Sequence, residues 1–297
     1  MTIEAKIIAD SISEQGVRLT TFQLRYPRFI HAELMTHRVF SRNASSSRAI
    51  PVKKMIEDLR RDPAMPVYWG SNKAGMQAGE ELTGDSLEIV KRYWLHAMDD
   101  AIEFAENLME EGLHKQIANR ILEPWAHINV VVTATDYQNF YTLRRHADAQ
   151  PEIKALADAM WDAQENSMPK LLKHGGWHLP YVSLKDFYSC PEDMSKEHHL
   201  ELLKKVSVAR CARVSYLTHD GRQTTVEEDI ALFEKLVVAQ PLHASPAEHQ
   251  GTPDIFNTGK ELGQFPPEAG WENSGLHGNF NGWIQYRKTL DGEFIPG

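Results

Sequence analysis

The chain has 297 residues, 42% hydrophobic and 25% charged, an ordinary globular composition long enough for one large domain or two modest ones. Its formal charge of -9 argues against a general nucleic-acid binder, which needs a cationic face to displace counterions, and no apolar run approaches the roughly 18 residues of a membrane span. The two cysteines, Cys190 and Cys211, are too few for a disulfide framework and lack metal-ligand spacing, so they read as structural residues in a reducing cytosol. "MTIEAKIIAD" has no basic segment followed by an apolar one, so the expectation is a soluble cytoplasmic protein without a signal peptide.

In chain order, residues 3–9 and 17–25 read as strands, the second alternating apolar and polar with Gly16 supplying the turn between them. Pro27 opens a short helix through "RFIHAELMTHR", and 71–85 is a Gly-rich polar loop. From Ser86, read as the N-cap, a long amphipathic helix runs with Leu87, Val90, Trp94, Met98, Ile102, Ala105 and Leu108 on one face and Gly112 as its stop. A shorter helix, "HKQIANRIL", ends before Pro124. "HINVVVTAT" (127–135), β-branched and nearly continuously apolar, is the strongest strand signal. Helices follow over about 136–146, 151–172, 196–212 and 225–239, with a loop at 187–195, and the Gly/Pro/Asn-rich tail ends in "FNGWIQYRK", a last strand or helix start. The class is α+β, helix-rich with a mixed or antiparallel sheet, and without the regular alternation of a doubly wound fold.

Four clusters carry chemistry. Arg38 to Arg48 holds three arginines, four serines and one asparagine, an array of guanidinium, hydroxyl and backbone donors suited to phosphate; a solvated polar loop is the competing reading. In "NFYTLRRHADAQPEIK", helical spacing turns Asn139 and Arg144 toward a common side, against the alternative of surface salt bridges among Arg144, Arg145, Asp148 and Glu152. In "KQIANRILEP", Gln116 and Arg120 lie four apart, which alone means nothing. In "LHASPAEHQ", His243, Glu248 and His249 invite a zinc reading, but Pro246 breaks the helix that zinc spacing needs, and no metal is expected. No dinucleotide, P-loop or nucleophile-elbow motif is present.

Taken together these clusters resemble the flavin-dependent (alternative) thymidylate synthases. That family's signature runs Arg-His-Arg, two residues, Ser, one residue, Asn-Glu, one residue, Ser, one residue, Arg; here His37, Arg38, Ser41, Asn43, Ser46 and Arg48 match it in register. Asn139, Phe140, Leu143, Arg144, Ala149, Gln150, Glu152 and Ile153 match its following helix pair, and Arg120 sits where the family keeps an arginine before a Leu-Pro turn. "ARCARVSY" (209–216) and "LHASPAEH" (242–249) resemble the family's N-terminal segment but follow the signature here, as circular permutation or duplication would arrange them. The resemblance thus divides the chain into 1–186, with the signature and nucleotide part, and 187–297, with the permuted flavin-contact segment and tail, packed as one compact domain.

The resemblance implies dUMP as substrate, methylenetetrahydrofolate as carbon donor, NADPH as reductant and FAD as cofactor, in a homotetramer without nucleic-acid or membrane partners. It implies Arg144 and Ser46 as catalytic residues, Ser46, Ser47, Arg48, Arg120 and Arg144 around the nucleotide, and His37, Arg38, Asn43, Asn139, Ser215, His243, Ser245 and Glu248 around the flavin. Two positions depart from the signature: Thr36 stands for its first arginine and Ala44 for its glutamate, with Gln285 and Arg287 as candidates to replace the lost contacts. They motivate a rival product, a hydroxymethylated pyrimidine nucleotide, beside a second rival, a non-catalytic nucleotide-binding relative.

Overall fold

Five strands make the main sheet of the computed structural model, which describes residues 3–188, 194–214, 224–238, 242–258 and 269–293. They are β1 (Glu4–Ser13), β2 (Arg18–Pro27), β3 (Ser41–Ala44), β4 (His127–Ala134) and β5 (Lys170–Leu172), in the order β3-β4-β2-β1-β5. All neighbours are antiparallel except β1 and β5. Gly16, at φ 79, makes the β1–β2 turn that an L side chain would strain. The sheet agrees with the expected helix-rich α+β class.

The pleat of β2 and β4 explains their different patterns. Phe22, Leu24 and Tyr26 pair with Val132, Val130 and Ile128 on one face. They pack there against α1 (His31–Met35), which carries Leu34, and against two later helices. On the other face, Thr21, Thr133 and Val131 meet residues from the chain beyond β5. Because β4 is covered on both faces it reads as a continuous apolar run.

Val52–Arg61, to which the sequence reading gives no element, is α2; Val52, Met55, Ile56 and Leu59 are its buried stripe. They meet Met98, Ile102 and Ala105 of α3 (Gly84–Glu110) in a second core. α3 begins two residues before the expected Ser86, after the extended Thr83, with Asp85 favourably placed in its first turn. It ends as read: Gly112 takes φ 84, and the N–H groups of Gly112 and Leu113 donate to the carbonyls of Met109 and Leu108. The next helix is shorter than expected, α4 (Lys115–Ala118) tightening into a 3-10 stretch, Asn119–Trp125, that contains Pro124.

After β4 come α5 (Gln138–Arg144) and α6 (Pro151–Glu165). The helix expected to reach 172 stops at Glu165, and beyond Pro169 the chain turns extended to add β5 beside β1. Leu156 of α6 is fully buried in the main core. Leu156→Ala is expected to cost about 2–5 kcal/mol of unfolding free energy, measured by denaturant titration.

Beyond β5 come α7 (Leu184–Tyr188), α8 (Lys196–Ala212) and α9 (Val226–Phe233), the last continuing as a π-helical turn, Glu234–Val238, within the expected 225–239 helix. Arg210 forks between Asp186 and the fully buried Asp229, which also accepts from Arg213, so three helices are tied by one charge network. Two small two-stranded antiparallel sheets follow, β6 (Gly251–Pro253) with β9 and β7 (Phe256–Asn257) with β8 (Gly270–Trp271), where β9 is Trp283–Gln285. "FNGWIQYRK" therefore contains both a strand and, at Tyr286–Thr289, a short 3-10 turn. No helix among the described residues is long and apolar enough to cross a membrane.

Candidate active site

The signature stretch is not all loop. Ser41–Ala44 pairs with Val130–Thr133 as β3, the edge strand of the sheet, and Ser41, Ser45 and Ser47 are buried. The strand pleat sends successive side chains to opposite faces. Arg42 goes to the helix side, where Nη1 donates to the carbonyls of Met35 and His37 at 2.8 and 3.2 Å. Burial lowers its pKa and the Glu248 carboxylate opposes that shift. Asn43 goes to the other side, where its Nδ2 donates to the Cys211 carbonyl of α8 at 2.9 Å and its Oδ1 accepts from Ser245 Oγ at 3.2 Å. One asparagine thus joins the signature to both late segments that resemble the family's N-terminal part.

His37, at the end of the turn after α1, is buried against Phe40 and Phe140, with ring centroids 5.8 and 4.9 Å away. Its Nε2 accepts from Arg144 Nε at 2.9 Å, and Arg144 Nη2 donates to Thr36 Oγ1 at 3.1 Å. Burial, then the charges of Arg144 and Arg42, lower the His37 pKa, so the ring is neutral at pH 7 and its Nε2 lone pair is available. Arg144 does not join the alternative surface network. Arg145 pairs instead with Asp158 at 2.9 Å over the Trp161 ring, and Glu152 is buried, accepting from Val67 N–H at 2.6 Å.

Glu123, which sequence reasoning missed, is a hub: its Oε1 accepts from Ser47 Oγ at 2.6 Å and Arg120 Nη1 at 2.9 Å, with Arg28 Nη2 3.3 Å away. Ser47 is therefore turned inward, and Arg120, half exposed, is held beside it. Arg38 and Arg48 are exposed with no partner among the described residues, and the Ser46 and exposed Asn139 side chains likewise have none. His243 is exposed on the loop before the 3-10 turn Ser245–Glu248. Glu248 pairs with Arg287, which also pairs with Glu293 at 3.1 Å. Gln285, only 2% exposed, spends its amide on Ser41 Oγ, the Glu248 carbonyl and Asn279 Oδ1, bracing β3 from behind. Ser215 and Cys190 lie outside the described residues.

The zinc alternative for "LHASPAEHQ" has no geometric support, because Glu248 turns to Arg287 whereas His249 is buried against Thr133, its Nδ1 2.8 Å from Oγ1. Among the described residues no group of three or more His, Cys, Asp and Glu side chains is arranged to hold a metal. Chemically, the site is an edge strand flanked by unpaired or half-paired arginines, small hydroxyls and one neutral histidine. Such a donor set binds anionic and carbonyl oxygens and has no strong nucleophile of its own.

The family model described as thymidylate synthase complementing protein matches residues 14–170, more than half of the chain. The chain belongs to this family. Among curated proteins the chain is similar to the flavin-dependent thymidylate synthase of Saccharolobus solfataricus, 29% identical over 126 residues, which are 40% of this chain and 47% of that one. The corresponding enzyme of Sulfolobus acidocaldarius is 35% identical over 82 residues, 27% of this chain and 32% of that one. The matched region thus spans less than half the length of each of these curated relatives. Among solved structures, the UMP/dUMP methylase PolB from Streptomyces cacaoi bound with 5-Br dUMP aligns over 55% of this chain and 90% of its own, at 20% identity and a TM-score of 0.46. The family match covers the signature, Arg120, Asn139 and Arg144, and stops before α8 and the 242–249 segment.

Proposed function

We propose that this chain is a flavin-dependent thymidylate synthase acting on dUMP. The overall change is dUMP, methylenetetrahydrofolate, NADPH and a proton going to dTMP, tetrahydrofolate and NADP⁺: the folate's one-carbon group replaces the hydrogen at C5 and is reduced to methyl. The observation that carries the reading is the meeting at β3 of segments far apart in sequence, with Asn43 bonded to both Cys211 and Ser245 while Arg144 reaches His37. Family membership supports a flavin cofactor, and the donor set fits one, since Arg38 is an exposed cation and Asn139 an exposed amide without partners among the described residues.

FAD, when bound, supplies the hydride. The chain's own residues bind, orient and polarise. In this reading Arg38, His37, Asn43, Asn139, His243, Ser245, Glu248 and Ser215 line the flavin, while Ser46, Arg48, Arg120 and Arg144 take the nucleotide; Ser47, expected beside them, is buried and spends its hydroxyl on Glu123, so it braces the loop instead. Arg144 offsets negative charge that develops on the uracil as C5 becomes nucleophilic. No enzymatic thiol is required, and Cys211 suits that: it is fully buried, and burial pushes its thiol pKa far up. The reading carries with it a cytoplasmic homotetramer, and a chain in which 187–297 is the family's N-terminal segment moved behind the signature.

The test is flavin binding coupled to nucleotide. The purified full-length chain is expected to quench FAD fluorescence on titration and to oxidise NADPH faster when dUMP is added. Absence of FAD binding by a folded chain overturns the reading.

A further inference from the structure

Thr36 stands where the family signature has an arginine, and its hydroxyl is committed on both sides. The O–H donates to the Glu33 carbonyl at 2.7 Å, which leaves the oxygen to accept from Arg144 Nη2 at 3.1 Å. Arg144 Nε, on the same side edge of the guanidinium, donates to His37 Nε2 at 2.9 Å. A guanidinium carries two forked edges, Nε with Nη2 and Nη1 with Nη2. The side edge is spent on protein; Nη1 has no partner among the described residues.

We propose that Thr36 is a positioning residue: with His37 it pins the side edge of Arg144, so that the end edge is offered to a pair of oxygen acceptors on the nucleotide. The second half of this rests on the reading of the site as a dUMP site. An arginine at position 36 has no acceptor for Arg144 and sets a like charge against it. Threonine supplies the acceptor and removes the repulsion, so the departure from the signature is matched to this use of Arg144.

The clamp also has a titration signature. His37 accepts from Arg144 only while neutral, and the charges facing it are Arg144 from α5 and Arg42 from β3, within walls made by Phe40 and Phe140. Without the Thr36 hydroxyl, Arg144 is held by one bond in place of two and spends less time against His37. The imidazole then titrates at higher pH.

The experiment compares wild type, Thr36→Val and Thr36→Ser in the full-length chain, following the His37 ring by NMR and dUMP binding by calorimetry between pH 5 and 8. Thr36→Val is expected to raise the His37 titration midpoint and to weaken dUMP about tenfold, as loss of one charge-assisted bond requires; Thr36→Ser restores both. A parallel titration with deoxyuridine locates the acceptors: weakening of both ligands puts them on uracil, and weakening of dUMP alone puts them on phosphate. A Val variant with wild-type affinity and wild-type His37 titration overturns the proposal, as does a loss of affinity that leaves His37 unmoved and that Ser does not rescue. If wild type itself binds no dUMP, the functional reading fails separately, and the His37 shift still decides whether the clamp exists.

Discussion

Replacing Arg144 with alanine is expected to lower kcat/KM for dUMP by about 10²–10³-fold, the usual cost of removing one preorganised donor to developing charge. Stability should change little. Arg144 is only partly buried at the C-terminal end of α5, and its hydrogen-bond partners among the described residues are His37 and Thr36. At most it gains the modest stabilisation, about 0.3–1 kcal/mol, of a cation near a helix C-terminus. Arg144→Lys separates charge from geometry. A single ammonium keeps the charge but cannot grip both His37 and Thr36 while presenting a second fork, so a loss of about tenfold or more is expected. Steady-state kinetics with dUMP varied, and melting curves as a control for folding, check both variants. Wild-type kcat/KM in Arg144→Ala removes Arg144 from the account of the site.

The second large effect is in stability against pH. A chain of hydrogen bonds crosses the sheet: Ser11 Oγ to His178 Nδ1 at 2.9 Å, His178 Nε2 to Thr21 Oγ1 at 2.8 Å, Thr21 to Thr133 at 2.7 Å, and Thr133 to His249 Nδ1 at 2.8 Å. It fastens the chain beyond β5 to β1, β2 and β4. Burial lowers both imidazoles, His178 to about 3, slightly opposed by Asp10, and His249 to about 3, with His178 adding to the fall. In the unfolded chain each returns to about 6.5. Between these values the unfolded state holds protons that the folded state lacks, so stability rises with pH there and is lost on acidification. Each histidine contributes a slope of about 1.4 kcal/mol per pH unit. The test belongs between pH 6.5 and 5, above the range in which the lowered carboxylates of Asp158, Asp186 and Asp254 take up protons. His127, which burial lowers to about 4, adds in the same direction, so urea midpoints should fall steadily across that window, and a midpoint that does not move shows that these rings are not held neutral.

How much of this was legible in the sequence differs by element. β2 announces itself by apolar residues alternating at the strand period, β4 by a short continuous β-branched run, and α3 because its stripe keeps the helical period to a glycine stop. β3 does not. Ser41, Arg42 and Asn43 are polar because an edge strand beside a site turns its side chains to carbonyls, to Asn279 and to Ser245 and not to a core, so the sequence alone looks like a loop there. The signal that could have marked α2 was present, apolar residues at 52, 55, 56 and 59 after Pro51, as was Pro169, which ends any helix continuing from α6. In the site, periodicity says nothing of partners 202 residues apart such as Asn43 and Ser245; only the family's motif groups them. Thr36 shows the converse limit. Against the motif it reads as a lost cation, and in the fold it is an acceptor for another one.

The central claim is the reaction, and mass analysis of the nucleotide product tests it most directly. The full-length chain is incubated with dUMP, methylenetetrahydrofolate, NADPH and FAD. The account predicts a product heavier than dUMP by one CH2 unit, a methyl group in place of the C5 hydrogen, co-eluting with dTMP. A hydroxymethylated nucleotide, or unchanged dUMP from a folded, FAD-loaded protein, contradicts it.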